Sequence, residues 1–354
     1  MTKRNVSVRP SQTQRSYAAG HHTSEATVRP CLTYVEATKL TAWIATSGAH
    51  PLAIISFGQT IPRTNSCPTI QLDLPQLEEH PLLEIWTSDQ PVTTLQKNEC
   101  SLAMSGDVLA GTISLDEKAG TTLDVTTELA YRQLLHHTRE LGFPYLWRVW
   151  NFFPGINEEE AGLERYRRFC MGRHQALEAS LQNFPSALPA GTAVGTRSGP
   201  LQIYFLAGAH PATHLGNPRQ MNAYEYPKDY GPRSPSFARA TLCGSENGPQ
   251  LFIAGTASVV GHASRHVGCP KEQTQEMVHN LRTLIEHADR MEPKGIGTSQ
   301  RAIYKVYVRN PDQLLSIRQA LRDPLLNSSP ILLLQGDLCR RELLVEIEGL
   351  VTSD

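Results

Sequence analysis

One order of elements occurs twice in this chain, and few architectures accommodate such a repeat. In the middle, VLAGTISL (108–115) reads as a strand, followed by a helix from about Thr122 to Leu141 and the strand YLWRVWNFF (145–153). A second helix from about Glu159 to Gln182 and the strand LQIYFLAG (201–208) complete the set. In the last third, strand 251–257 leads to a helix over about Lys271 to Arg290, strand 302–308, a helix over about Pro311 to Arg322, and strands 331–335 and 343–348. Met277, Leu281, Leu284 and Ala288 recur at helical spacing, and Asn310 with Pro311 supplies an N-cap followed by proline at the first helical position. The expected fold class is α+β, a duplicated unit with helices on one face of each sheet.

The N-terminal third is patterned differently. From Cys31 to about Cys100, short apolar runs such as LAIISFG (52–58) and LLEIWTS (82–88) alternate with Pro-, Gly- and Asn-rich turns and read as strands. Residues 1 to 24 hold Lys3, Arg4, Arg9 and Arg15, no acid, and no amphipathic stripe, so a disordered tail is expected rather than a transit peptide. The expected division is a tail over 1–29, a domain over 30–215 that includes the first repeat, and a domain over 216–354.

Charge and cysteine content narrow the partners. A net charge of -1 gives no electrostatic basis for nucleic acid or anionic membrane as a partner, and no apolar run approaches a membrane span. Seven widely spaced cysteines without a CxxC fit reduced thiols better than a disulfide framework, and a cytoplasmic location is expected. There is no P-loop, GxGxxG or GxSxG. His262, His266 and Cys269 sit in a Gly-rich turn without a fourth spaced ligand, so a loop role is expected there and no metal site.

Three groups of residues carry potential chemistry. Glu346 and Glu348 frame Ile347 near the end of a branched apolar run, where a carboxylate is costly to bury without a charge partner or a proton. Strand alternation puts both on one face and does not choose between them. On the helix LERYRRFCMGRHQAL (163–177), Tyr166, Cys170, Arg173 and Leu177 share a face, so Arg173 either meets a ligand or satisfies a structural carboxylate or row of carbonyls. Tyr224, Tyr226 and Tyr230 lie in a proline-held loop followed by Arg233 and Arg239, and Arg239, which leads into a strand, is the preferred anchor for an anion.

Two resemblances organise these residues. LFIAGTASVVGHASRHVG (251–268), the helix with Gln273, Glu276 and Asn280, the strand AIYKVYV (302–308) and the terminal VEIE resemble the RidA/YjgF family. RVWNFFPGIN (148–157), LERYRRFCMGRHQAL (163–177) and NPRQMNAYEYPKDYGPRSPSFARATL (217–242) resemble the chorismatases, which remove pyruvate from chorismate. The resemblance implies RidA/YjgF-like units of the chorismate mutase-like barrel kind. The N-terminal third then stands as a degenerate third unit, so that one chain, as a monomer, imitates a trimer. It also implies Glu346 as the acid that protonates the enolpyruvyl ether, Cys339 as the residue that bears on the product, and Tyr166, Arg173, Tyr224 and Arg239 as holders of chorismate. The implied products are pyruvate and 3-hydroxybenzoate, with 4-hydroxybenzoate from some members, and no cofactor is implied.

One departure is informative. RidA proteins carry a carboxylate-binding arginine in a P-A-R context before the last strands, where this chain has SSPILLL (328–334). Three other readings stay open on sequence grounds: a chorismate hydrolase giving a dihydroxycyclohexadiene carboxylate, a RidA-type enamine or imine deaminase, and a non-catalytic small-molecule-binding module.

Overall fold

A computed structural model describes residues 28–60, 67–244, 248–292 and 300–353; the segment 1–27, which takes in nearly all of the expected tail, lies outside them. The N-terminal part contains β1 (Cys31–Glu36), the short helix α1 (Leu40–Ser47), β2 (His50–Phe57), β3 (Thr69–Leu72) and β4 (Leu82–Ser88). A hairpin of β5 (Thr93–Lys97) and β6 (Cys100–Ser105) leads into the middle unit. That unit comprises β7 (Val108–Leu115), α2 (Leu123–Glu140), β8 (Tyr145–Pro154), a small hairpin of β9 (Glu159–Glu160) and β10 (Leu163–Glu164), α3 (Arg165–Ser180), β11 (Ala190–Thr196) and β12 (Leu201–Gly208). After β13 (Thr213–Leu215), a loop with two 3-10 turns and β14 (Ala240–Cys243), the C-terminal unit begins at β15 (Gln250–Ala257). It continues through the hairpin β16 (Val259–Val260) and β17 (Ala263–Ser264), α4 (Pro270–Met291), β18 (Gln300–Val308), α5 (Leu314–Ala320), β19 (Ile331–Gln335) and β20 (Val345–Ser353).

The pairing shows three copies of one topology. In the middle unit β12 lies antiparallel between β7 and β8, and β11 runs parallel to β8. In the C-terminal unit β20 lies antiparallel between β15 and β18, and β19 runs parallel to β18. In the N-terminal part β4 lies antiparallel between β1 and β2, and β3 runs parallel to β2. The N-terminal third is therefore a reduced third unit, with one short helix among its described residues. β5–β6 and β13–β14 widen the other two sheets to six strands each at equivalent edges.

Burial explains the assembly. One face of each sheet is covered by its own helices: Leu134 and Phe169 pack on Ile113 and Phe205 in the middle unit, and Met277 and Leu281 pack on Val306 and Ile347 in the C-terminal one. The opposite faces meet in a single core that draws on Phe57, Trp86, Trp150, Tyr204, Phe252, Tyr307 and Leu334. Strand alternation follows this division, so Ile347 points to the helices while Glu346 and Glu348 point away from them.

The sequence pattern and the structure differ in a few places. The helix expected from about Glu159 instead starts at Arg165: Glu159–Glu160 and Leu163–Glu164 form the β9–β10 hairpin, with Ala161 and Gly162 at positive φ in its turn. Nothing in the pattern marks β11, because AGTAVGT is poor in branched and aromatic residues; pairing with β8 makes it a strand. β13, which precedes the expected boundary at 215/216, pairs with β14 in the C-terminal sheet.

One glycine joins fold to site. Gly172 lies in α3 where it crosses α2, and a Cβ there would stand 2.0 Å from the Asp124 carbonyl oxygen, a backbone atom that cannot swing aside. Gly172→Ala should therefore push the two helices apart at a cost of about 1–3 kcal/mol, read as a lower urea midpoint at unchanged m-value; an unchanged midpoint would show that the helices give way freely.

Candidate active site

A cavity of about 270 Å³ opens between β11 of the middle unit and β15 and β20 of the C-terminal unit. Its wall includes Tyr166 and Arg173 from α3, Thr192 from β11, Arg239 ahead of β14, Cys339 after β19 and Glu346 from β20. The loop before β14 adds Tyr226, Tyr230 and Phe237. The cavity thus lies between repeats, where no single unit could build it.

Arg173 and Arg239 flank Phe237, with their guanidinium carbons 5.8 and 5.0 Å from its ring centroid, and Arg173 also lies 4.9 Å over Phe169. Arg239 donates to the Tyr226 hydroxyl at 2.6 Å and to the Met221 carbonyl at 3.1 Å. Both arginines are buried, the Nε of each has no hydrogen-bond partner, and neither forms an ion pair among the described residues. A buried guanidinium without a counter-anion is strongly disfavoured, so the pair is a built anion site that a ligand carboxylate would complete.

The two glutamates, equivalent by alternation, have opposite surroundings. Glu348 accepts from Arg148 at 2.7 Å, Lys305 at 2.9 Å, the Trp150 indole at 2.9 Å and the Tyr307 hydroxyl at 3.1 Å. Burial pushes its carboxyl up, but Lys305 and Arg148 outweigh burial and hold it below the ordinary range. Glu346 has no such partners. Burial and then the charge of Glu348 push its carboxyl up to about 8, against the opposing pull of Arg148, Arg239 and Arg309. Gly255 makes room for it, since a Cβ there would lie 2.0 Å from Glu346 Oε1. Glu348 is thus a fixed anion and Glu346 a carboxylic acid facing the cavity at neutral pH.

The remaining candidates divide. Cys339 lines the cavity with a thiol that burial and then Glu346 push up to about 12, so it is neutral. Burial holds the Tyr166 phenol well above its usual range, leaving a neutral donor. Tyr224 does not line the cavity: the 3-10 turn Ala223–Glu225 sends it onto the core of the middle unit, and Tyr226 stands in the wall instead. Arg233 is also outside the wall.

Arg340, not among the expected site residues, lines the cavity as well. It stacks 4.3 Å over Tyr230 and 5.3 Å over Tyr226 and donates to the His262 carbonyl and Ser264 Oγ. The signal that could have found it is its place directly after Cys339 in a short turn. His262, His266 and Cys269 do not converge: His262 meets Tyr230, His266 meets Glu276, and Cys269 is exposed. Among the described residues only His136, His137 and Glu140 on α2 are close enough to share an ion, and Lys97 already pairs with Glu140 at 2.6 Å.

The contrast between the glutamates is measurable without any ligand. In the free protein one carboxyl should titrate near pH 8, seen as its C=O infrared band giving way to a carboxylate band, and Glu346→Gln should abolish that transition. Survival of the transition in Glu346→Gln would assign it to another group.

Comparison with known proteins identifies the family. Residues 84–207 match the family model described as chorismatase FkbO/Hyg5-like, N-terminal. The chain is 36% identical to a 3-hydroxybenzoate synthase of Streptomyces hygroscopicus over 306 residues, 80% of this chain and 87% of that protein. It is 32% identical to a chorismatase of Streptomyces rapamycinicus over 296 residues, 80% and 86% of the two chains. Its fold matches the crystal structure of a chorismatase with a TM-score of 0.83 at 31% identity, covering 93% of this chain and all of that one. The chain therefore belongs to the chorismatase family.

Proposed function

We propose that the protein converts chorismate into 3-hydroxybenzoate and pyruvate by acid-catalysed cleavage of the enolpyruvyl ether. The observation that carries this reading is the cavity's combination of two buried guanidinium groups, neither in an ion pair among the described residues, with one neutral carboxylic acid. Chorismate carries two carboxylates and an acid-labile vinyl ether. Arg173 and Arg239 take the carboxylates, Tyr166 donates as a neutral phenol, and Tyr226 holds Arg239 in place.

Glu346 delivers its proton to the enolpyruvyl methylene carbon, which leaves an oxocarbenium at the ether carbon. That cation is captured within the molecule or by water. If the ring C4 hydroxyl captures it, the C4–O bond of the cyclic ketal breaks, C3 loses its proton as the ring becomes aromatic, and the hemiketal left on the C3 oxygen collapses to pyruvate and 3-hydroxybenzoate. If water captures it, the hemiketal collapses to pyruvate and the dihydroxy acid, which must lose its C4 hydroxyl as water to become aromatic. The carboxylate left on Glu346 has a raised proton affinity and is suited to take a proton back. Substrate and the two products balance without net consumption of water, so water captured during the reaction must be returned. A pocket that keeps water from the cation favours the aromatic product, and the neutral thiol of Cys339, whose charge state Glu346 influences directly, is placed to do this.

Incubation of the pure protein with chorismate should release pyruvate together with 3-hydroxybenzoate, identified by chromatography and mass spectrometry. Arg173→Lys keeps the charge and loses the planar fork, so apparent affinity for chorismate should weaken by roughly one to two orders of magnitude. Unchanged kinetics with a lowered melting temperature would make Arg173 structural. Cys339→Ala should retain pyruvate release and shift the second product toward the dihydroxycyclohexadiene carboxylate; an unchanged product mixture would return Cys339 to the role of a packing residue.

A further inference from the structure

The N-terminal unit contributes no residue to the cavity wall, yet it sends one buried carboxylate to the centre of the molecule. Glu84 pairs with Ile55 in register, as Tyr204 pairs with Trp150 and Glu348 with Lys305, so Glu84, Tyr204 and Glu348 occupy the same position in the three units. Lys305 Nζ lies 2.5 Å from Glu84 Oε2, 2.9 Å from Glu348 Oε1 and 2.8 Å from the Tyr204 hydroxyl. Glu84 Oε1 accepts from the Trp86 indole at 2.8 Å and from Tyr204 at 3.0 Å. One ammonium is therefore divided between two carboxylates, and only the second of them neighbours the cavity acid.

We propose that Glu84 is a positioning residue for the acid: by competing with Glu348 for Lys305, it sets how firmly Glu346 holds its proton, so the N-terminal unit tunes a site it does not touch. This rests on the reading of Glu346 as proton donor. Glu84 and Glu348 balance Lys305 and Arg148, and all four are buried, where salt screens poorly. Loss of the Glu84 charge leaves one surplus positive charge and turns Lys305 wholly toward Glu348. Both changes make it easier for Glu346 to ionise.

The other groups around Glu346 do not reverse that sign. They are Glu348 on its own strand, Arg148 from β8, Tyr307 opposite it on β18, Thr192 from β11, Arg239 ahead of β14, Arg309 after β18, and Cys339 with Arg340 from the turn after β19. Around the Glu84–Lys305 pair stand Tyr34, Tyr204 and Tyr307, whose phenols burial pushes well up and keeps neutral.

The test follows the carboxyl transition of Glu346 in the substrate-free protein by infrared titration, and in parallel the basic limb of kcat/KM for chorismate. Glu84→Gln should move both to lower pH by roughly one unit, the effect of one charge on the order of 10 Å away at an effective dielectric constant near 20. The double variant Glu84→Gln/Lys305→Met removes the opposite charge as well and should bring both back toward the wild type. A merely structural role would lower kcat at every pH, leave the midpoint in place, and worsen in the double variant. An unmoved midpoint in Glu84→Gln, or a double variant displaced as far as the single one, overturns the proposal. If Glu84→Gln does not fold, Glu84→Asp, which withdraws the carboxylate by one methylene, should shift the midpoint the same way by less, and no shift there overturns the proposal equally. A protein whose carboxyl transition moves as expected but which never consumes chorismate would sink the reading of the reaction and leave the coupling standing.

Discussion

Two carboxylates and two cations, Glu84, Glu348, Lys305 and Arg148, are sealed together where the three sheets meet, and two of them, Glu348 and Arg148, act directly on the carboxyl of Glu346 in the cavity. Such a cluster is a poor way to gain stability, because desolvation of four charges offsets most of their attraction and an apolar replacement of similar shape is often as stable. What it does achieve is asymmetry. Two glutamates two residues apart on one strand face would otherwise compete for the same cations and share their protons. Here Lys305 and Arg148 are bound to Glu348, and Glu346 is left with burial and a neighbouring negative charge. A fixed anion behind a protonated acid is the result, and it needs no special side chain at Glu346 itself.

The same centre explains why three repeats yield one cavity acid. Two residues before the equivalent positions Glu84, Tyr204 and Glu348 stand Leu82, Gln202 and Glu346, so only the C-terminal repeat carries an acid there. Gln202 donates to the Gln71 carbonyl at 2.9 Å, and the Leu82 backbone amide donates to Gln76, which closes those positions with ordinary hydrogen bonds. The reduced N-terminal unit keeps the strands that complete the central core, and among its described residues the one short helix α1 covers their outer face. Repeats that share a core need not share chemistry.

How much of this was legible in the chain depends on the range of the interaction. The repeat, the helices α2 and α4 and strands such as 108–115, 201–208 and 331–335 follow from local periodicity and match the structure. The cavity residues Arg173, Arg239 and Glu346 belong to motifs that carry a family resemblance. β11 escaped because its alanines and glycines have no strand signature outside the partner that makes them one. Tyr226 was passed over for Tyr224 because a 3-10 turn decides which of two near neighbours turns inward. The distinction between Glu346 and Glu348 was invisible to alternation, since it is made by Arg148, 200 residues away from Glu348, and by Lys305, itself held by Glu84 221 residues distant. Contacts of that separation leave no trace in spacing.

The arginines and the acid also act on each other. Arg239 favours ionisation of Glu346 in the empty cavity, opposing burial and Glu348. A dianionic ligand that pairs with Arg173 and Arg239 cancels that pull and expels water from the same space, and both effects strengthen the hold of Glu346 on its proton. On the proposed reading, the acid is most firmly protonated when chorismate is in place. The stacking of both guanidinium groups on Phe237 keeps them where a carboxylate can reach them, instead of letting them swing toward backbone carbonyls. On that reading binding and protonation are one event, built from two cations held on aromatic faces and an acid, none of which has an ion-pair partner among the described residues.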